Sequence, residues 1–511
     1  MGLPEWITRM NTSDIGRTKA LRAVSCLLLA SWFAAGCAAS AAPVAADGVV
    51  VVGSEKQLFI DDLFLQRATN VSLQMHPARK TGERTLVPDQ PRENASLNWF
   101  SVLQQDGKFR MWYECYDVEG WPTTNDTSFC YAESADGIRW AKPSRNLFSY
   151  NGSTRNNILF RELGPPGAYS RVHGAGVFVD PTAPRDARYK CVSQGMFARS
   201  TPPYRVAGMV SPDGLRWTRL PNPICDVFAD SQYSAFWDAG LGTFVLYGRV
   251  SGRGRAIGRV QSRDFAHFEP LQLVLENESA RDLYNPAAVK YAGAENAYLM
   301  FPSVYDHQSD KLDIHLAVSH DGLHWRFPDR ATPFIALGPA GQFDSGSLYL
   351  GQGVVRVQDE LWHYYSGSPL KHEEANLALL TNSANSRIYS RATIRLDGYV
   401  SVAAGDQEGY FVTPPLRFKG NALTLNVAVK PDGELRVGLL DEAGNPAPGL
   451  APSDCVPIKG DHIRHRVTWT SHADLAAHAT RPVCLAFRMT KANLFAFQFT
   501  DSDLASREPQ P

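Results

Sequence analysis

Four acidic side chains recur at the same place in the rhythm of this chain. Glu93, Asp230, Asp282 and Asp344 each stand a few residues before an apolar, strand-like run, and a fifth, Glu114, ends the run Phe109-Arg-Met-Trp-Tyr-Glu114. Carboxylates that share a poorly hydrated hollow cannot all ionise at low cost, so their pKa values spread. One stays protonated as an acid and another stays charged as base or nucleophile. Cleavage of a glycosidic bond needs such a pair, with retention expected at a carboxyl separation of about 5–5.5 Å and inversion at about 6.5–9.5 Å. The same register carries Arg92, Arg171 and Arg281, whose planar forks suit a carboxylate or a phosphate. His173, Gln232, Tyr284 and Asn285 share it too, and His372 follows the fifth run. Trp99 and Tyr284 offer flat faces on which a sugar ring stacks, while the histidines offer hydrogen bonds to its hydroxyls. Each residue also has a plainer role. Asp230 and Asp344 precede serines and suit turn caps, Asp282 can pair with Arg281, and Glu93 can be a solvated loop charge. Their common register weighs against those roles.

The elements that would position these residues are announced by a repeated phrase. Ser134-Ala-Asp136-Gly137-Ile-Arg-Trp140 returns as Ser211-Pro-Asp213-Gly214-Leu-Arg-Trp217, as the worn copy Ser262-Arg-Asp264-Phe-Ala-His-Phe268, and as Ser319-His-Asp321-Gly322-Leu-His-Trp325. Each copy follows a strand-like run, and Asp-Gly supplies positive-φ hairpin geometry. The aromatic that ends each phrase then starts an outermost strand and packs between neighbouring repeats. One sheet of four strands per repeat is the signature of a β-propeller. Alternating patterns fill residues 50–400 and helical periodicity is scarce, so the chain is read as all-β. Five blades are expected over 48–404, with the carboxylates at the funnel mouth where the inner strands begin. A β-sandwich is expected over 405–502 and a tail over 503–511.

The chain has 511 residues, 44% of them hydrophobic, 20% charged and 11% aromatic, enough for a large core and more than one domain. A formal net charge of −1 and the lack of any Lys/Arg run leave no field for gripping a polyanion, so nucleic acid is excluded as a partner. Arg17, Lys19 and Arg22 precede the apolar run Ala23–Ala35, the pattern of an export signal within a leader over 1–47. Ala35-Gly36-Cys37 resembles a bacterial lipoprotein box, so the expected location is secreted or periplasmic, or at the cell surface through a lipid on Cys37. Of the eight cysteines, Cys115 with Cys130 and Cys455 with Cys484 are the expected disulfide pairs, with scattered buried thiols as the alternative. No spacing calls for a metal ion, a glycine-rich phosphate loop or any other cofactor.

The blade repeats followed by a C-terminal sandwich resemble glycoside hydrolase families 32 and 43. The phrases Phe418-Lys-Gly-Asn-Ala-Leu-Thr-Leu-Asn, Leu440-Asp-Glu-Ala-Gly-Asn-Pro and Ile458-Lys-Gly-Asp461 look like the sandwich of family 32 members. The catalytic motifs depart from it. The family's Asn-Asp-Pro-Asn segment is absent, Glu114-Cys115 reproduces its Glu-Cys acid only as a dipeptide, and Arg281-Asp282 lacks the proline of its Arg-Asp-Pro stabiliser. The resemblance implies a divergent glycoside hydrolase acting on O-glycosyl bonds of a carbohydrate. Asp282 and Asp230 are the expected base or nucleophile and its pKa modulator, Asp344 a further electrostatic or substrate-binding group, and Glu93 or Glu114 the proton donor. The alternatives are a non-catalytic carbohydrate-binding propeller and a glycoside phosphorylase that uses phosphate in place of water.

Overall fold

The stretch Lys108–Tyr116 is rich in aromatic residues, which pack well on a pleated, half-buried surface. In the computed structural model, which describes residues 45, 48–117, 127–161, 172–197, 204–226, 229–278, 281–380, 387–471 and 474–501, it is the second strand of an antiparallel unit. Ser96–Gln105 precedes it, Ser128–Ser134 follows, and Ile158–Phe160 closes the outer edge. Asp106 (φ 52°) and Gly107 (φ 71°) join the first two strands through a two-residue turn. Positive φ at both central positions matches the twist of the flanking strands.

The pattern repeats. His173–Val179, Tyr189–Met196, Tyr204–Ser211 and Thr218–Arg219 make the second unit, and Ser234–Asp238, Thr243–Gly252, Gly254–Ser262 and Gln272–Leu275 the third. In the fourth, the second strand is split into Tyr298–Met300 and Ser303–Asp306, because Pro302 has no N–H to give the ladder. The fifth consists of Ser347–Val357, Glu360–Ser368 and Ile388–Arg395, and its outer strand is Arg79–Lys80, drawn from chain that precedes the first unit. Joining the two ends of a repeat array in one sheet removes an open edge.

Hydrogen bonds tie the first strands into a closed circuit. The Ser101 hydroxyl donates to Ala175 O (3.3 Å) and accepts from Val177 N (3.1 Å). Tyr233 N donates to Gly174 O (3.0 Å), Ala288 N to the Ser234 hydroxyl (3.0 Å), and the Asn285 amide to Leu350 O (3.4 Å). Gln352 then pairs in parallel with Ser101.

The repeated phrase acts as a fastener between units. It is not the two-residue hairpin that Asp-Gly suggests: only its glycine has positive φ, 71°, 72° and 72° at Gly137, Gly214 and Gly322. Ser211 Oγ accepts from Gly214 N (2.9 Å), while Asp213 Oδ1 accepts from Leu215 N and Arg216 N (both 2.8 Å). The carbonyl of the turned glycine faces the preceding unit. Gly137 O accepts from Tyr364 of the fifth unit (2.8 Å), Gly214 O from the Trp112 indole of the first (2.6 Å), and Gly322 O from Tyr247 of the third (2.7 Å). The closing tryptophans pack across the same boundaries, Trp140 on Tyr364, Trp217 on Phe129 and Trp325 on Tyr247. A Cβ on Gly214 would meet Trp112 at 2.8 Å in a backbone geometry that side chains disfavour. Gly214→Val is therefore expected to cost about 2–4 kcal/mol in urea unfolding.

The C-terminal region is an eight-stranded sheet built on Ala422–Leu440 and Cys484–Thr500, two long antiparallel strands whose register breaks between Val429 and Glu434. N-terminal chain completes it. Gln57–Leu58 pairs with Cys484–Thr500, Arg67–Thr69 with Gly409–Val412, and Ser72–Met75 with Val400–Ala404. Phe59, Phe64, Phe411, Phe487 and Phe497 interlock in its core. Buried Asp397 ties this sheet to the fourth unit, accepting from Lys56 Nζ (2.8 Å), the Tyr291 hydroxyl (2.5 Å) and the Asn426 amide (3.0 Å).

Cys115, Cys130, Cys455 and Cys484 are buried and none of them is in a disulfide, which corrects both expected pairs. Cys115 and Cys130 lie diagonally across adjacent strands with sulfurs 3.6 Å apart, within hydrogen-bond reach of each other. Cys455 bridges to Trp469 while Cys484 pairs with Leu440, so they occupy different strand pairs. The expected export signal, Cys37 and the tail after Asp501 lie outside the described residues. No helix among the described residues is long and apolar enough to cross a membrane.

Candidate functional site

In each unit the first strand starts, the second ends and the third starts at the same end of the ring. At that end Glu114, near the close of the first unit's second strand, meets His173, the first residue of the second unit. Glu114 is fully buried, and three groups converge on it: the Tyr116 hydroxyl donates to Oε1 (2.6 Å), Gly174 N donates to Oε2 (3.0 Å), and His173 Nδ1 lies within hydrogen-bond distance of Oε1 (2.7 Å). The contact at Nδ1 turns the ring so that Nε2 lies 2.9 Å from Asp230 Oδ1. The Asp230 side chain is 47% exposed. The sequence order is thus carboxylate, imidazole, carboxylate, with only the last open to solvent.

Asp230 adjoins Ser231, whose hydroxyl donates to Tyr284 O (2.6 Å), and its charge helps raise the Tyr284 pKa, which burial lifts first. Asp282 lies two residues before Tyr284 in an opposite setting. Its Oδ1 accepts from Arg255 N (2.9 Å), and its Oδ2 from Arg255 Nη1 (2.5 Å) and His307 Nε2 (3.1 Å). Burial alone would raise the Asp282 pKa, but the Arg255 N–H and guanidinium, helped by His307, hold it below the ordinary carboxylate value. Asp282 is therefore charged at neutral pH.

Tyr284 belongs to an aromatic floor. Trp99 stacks with it at 6.3 Å and 27°, and Tyr349 meets Trp99 and Tyr284 edge-on at 4.8 and 5.4 Å. His372, first residue of the helix His372–Leu380, packs on Tyr284 and receives or gives a hydrogen bond at the Tyr349 hydroxyl (2.8 Å). Burial, reinforced by nearby Arg255 and Arg387, drives the His372 pKa down to about 4, so the ring is neutral. Three guanidiniums border the floor. Arg249 and Arg255 lie 5.1 and 5.2 Å from the Tyr284 ring centre, and Arg387 lies 4.8 Å from that of Tyr349.

The structure therefore brings together Glu114, His173, Asp230, Asp282, Tyr284, Trp99 and His372. Other expected residues lie elsewhere. Glu93 is buried under the first unit, where it accepts from Tyr113 (2.6 Å) and Lys142 (2.6 Å), and Arg92 is spent on Asn157 (2.9 Å). Arg281 is half exposed and pairs with Asp306 (3.1 Å). Gln232 and Asn285 are fully buried between first strands, Gln232 donating to Phe100 O (2.8 Å) and Ala175 O (2.9 Å). Asp344 accepts from Lys80 (2.7 Å) and Tyr365 (2.9 Å), where the outer strand Arg79–Lys80 closes the fifth unit. Asp344→Asn is expected to lower stability by about 1–3 kcal/mol in thermal unfolding, because Lys80 loses its counter-charge. Arg171 lies outside the described residues.

Sequence reasoning missed Tyr116, Tyr349, Arg249, Arg255 and Arg387. Four of these lie near second-strand ends or third-strand starts and Tyr349 on a first strand, so scanning all three ends of each unit would have found the arginines. Among the described residues no group of three or more His, Cys, Asp or Glu is arranged to hold a metal ion. A cavity of about 330 Å³ opens at the opposite end of the ring, lined by Leu103, Val177, Phe236, Val289 and Gly353, and none of these carboxylates borders it.

The chain is similar in structure to solved glycoside hydrolases. A thermostable family-43 glycoside hydrolase shares 14% identity at a TM-score of 0.39, with 63% of this chain and 95% of that one covered. A glycosyl hydrolase from Bacteroides ovatus shares 14% at a TM-score of 0.43, with coverage of 66% and 96%. An N-acetylgalactosamine deacetylase from F. plautii, solved in complex with blood group B trisaccharide, shares 14% at a TM-score of 0.43, with coverage of 64% and 96%. No protein-family profile matches the sequence, and no curated protein does.

Proposed function

We propose that the protein is a glycoside hydrolase that cleaves O-glycosyl bonds at the mouth of a five-bladed β-propeller followed by a β-sandwich. The five units are the blades and the closed circuit of first strands is the funnel wall. One observation carries the reading: two carboxylates with different partners, Asp230 beside His173 Nε2 (2.9 Å) and Asp282 held charged by Arg255, lie around the same aromatic residue, Tyr284. Such a split assigns acid and base roles within one site. Asp282, held charged by Arg255, stabilises positive charge at the anomeric carbon as base or nucleophile. Asp230, 2.9 Å from His173 Nε2, delivers a proton to the departing oxygen, and Glu114 keeps the imidazole in place. Tyr284, the partly exposed member of the aromatic floor, is the residue that meets the sugar ring, and buried Trp99 supports it. The charged-then-apolar N-terminal run supports export of this enzyme.

The test is incubation of the protein with a panel of oligosaccharides, polysaccharides and aryl glycosides, with and without inorganic phosphate. Release of reducing sugar independent of phosphate is expected. Binding without release would replace the hydrolase with a carbohydrate-binding propeller, and a sugar phosphate product would replace it with a phosphorylase.

A further inference from the structure

The three arginines around the aromatic floor are unequally compensated. Arg255 has Asp282 as a counter-ion at 2.5 Å. Arg249 has no carboxylate within ion-pair distance among the described residues, and its buried Nη1 lacks a hydrogen-bond partner while its guanidinium lies 5.1 Å from the Tyr284 ring centre. Arg387 is only 5% exposed, lies against Tyr349, and burial pulls its pKa down. Desolvating a guanidinium is costly unless an anion or good acceptors replace the lost water. The positive character reaches the neighbouring groups: Arg255, Arg387 and Arg249 all disfavour protonation of His372, behind the effect of burial. A second cation at this position is therefore unwelcome and an anion is not.

We propose that the site takes an anionic sugar, one carrying a uronate carboxylate or a sulfate ester, with its oxyanion received by Arg249 where that guanidinium lies over the Tyr284 ring. This rests on the reading of the site as a glycan site. A sugar bound at the edge of this aromatic floor places a ring substituent within reach of the guanidinium that lies over the Tyr284 ring, 5.1 Å from its centre. The planar guanidinium fork matches the paired oxygens of a carboxylate or sulfate, and such charge-assisted bonds are stronger than those to a neutral hydroxyl. The −1 net charge of the whole chain makes this a local preference, not long-range attraction of polyanions.

The experiment is titration calorimetry with galacturonate and glucuronate oligosaccharides, their neutral hexose counterparts, a sulfated oligosaccharide, and inorganic phosphate alone. Tighter binding of the uronate or sulfated ligand by roughly tenfold or more is expected, with the advantage shrinking as salt rises. Arg249→Gln should remove that advantage and Arg249→Lys should restore part of it. Equal or tighter binding of the neutral counterpart, or an unchanged ratio in Arg249→Gln, overturns the proposal. So does binding of inorganic phosphate as tight as that of the anionic sugar, since the oxyanion would then be a free one. Should Arg249→Gln fail to fold, the ratio and its salt dependence in the unaltered protein decide. A uronate oligosaccharide bound but not cleaved leaves this inference standing and defeats the hydrolase, whereas indifferent cleavage of neutral glycans does the reverse.

Discussion

Asp230→Asn is expected to lower kcat/KM for the proposed glycan hydrolysis by roughly 10²–10⁴-fold, the range for loss of a positioned proton donor. The reasoning is geometric. Asp230 is the one carboxylate of the Glu114–His173–Asp230 series that a substrate can reach, and its side chain is 47% exposed. Asparagine keeps the shape and removes the proton, so the unfolding transition should stay nearly where it was. Asp282→Asn should behave differently. Its carboxylate holds the Arg255 backbone and guanidinium together (2.9 and 2.5 Å), so the variant loses activity and stability at once. Removing one partner of a buried pair leaves the other charge uncompensated. Initial rates on the best substrate, paired with thermal unfolding of both variants, separate the two patterns. Full activity in Asp230→Asn would remove it as the acid and leave His173 or another group to be found.

The architecture was written in the sequence more plainly than the site. Repetition exposed the units because every copy of Ser-x-Asp-Gly solves the same local problem, holding a turned glycine whose carbonyl receives the neighbouring unit. The worn copy shows why. Where Phe265 replaces glycine, the boundary is filled by Phe178, Phe244 and Phe265 with Lys190 above the last ring (5.0 Å). The origin of the fifth unit's outer strand was not legible, since Arg79-Lys80 is too short to carry a periodic signal. Nor was the addition of Ser72–Met75 and Arg67–Thr69 to the C-terminal sheet, which depends on contacts more than 300 residues apart in the chain.

Within the site, register before the first strands pointed to His173, Asp230, Asp282 and Tyr284, which the structure gathers at one end of the ring. The same rule also selected Glu93 and Asp344, because a strand start is equally where a chain needs a cap or a closing ion pair. Lys142 and Tyr113 claim the first, and Lys80 and Tyr365 the second. Sequence gives the register of a carboxylate but not its counter-ion. The arginines were missed for the converse reason, lying on strands whose mouth ends follow the first strand.

A second large effect is expected in the pH dependence of stability, between about pH 6.5 and 4. His363 is fully buried among Phe301, Phe334 and Tyr399, with Nε2 3.1 Å from the Tyr399 hydroxyl, and burial takes its pKa down to about 3. His372 is held near 4, by burial first and then by Arg255 and Arg387. In the unfolded chain both imidazoles titrate near 6.5. Below that value the unfolded state binds protons that the folded state refuses, so stability is complete above about pH 7 and falls as the solution is acidified. Each histidine accounts for about 3 kcal/mol between pH 7 and 4. Carboxylates with depressed pKa, Asp61 and Asp282 among them, act in the same direction but only at still lower pH, near and below 4. The window above pH 4 therefore belongs to the histidines. Urea midpoints measured across it should fall steadily, and His363→Phe, which keeps a ring in an aromatic box, should flatten the slope by the share of that one imidazole. A midpoint that holds level from pH 7 to 4.5 would mean that the folded protein admits these protons, which neither buried ring could do without opening the sheets around it.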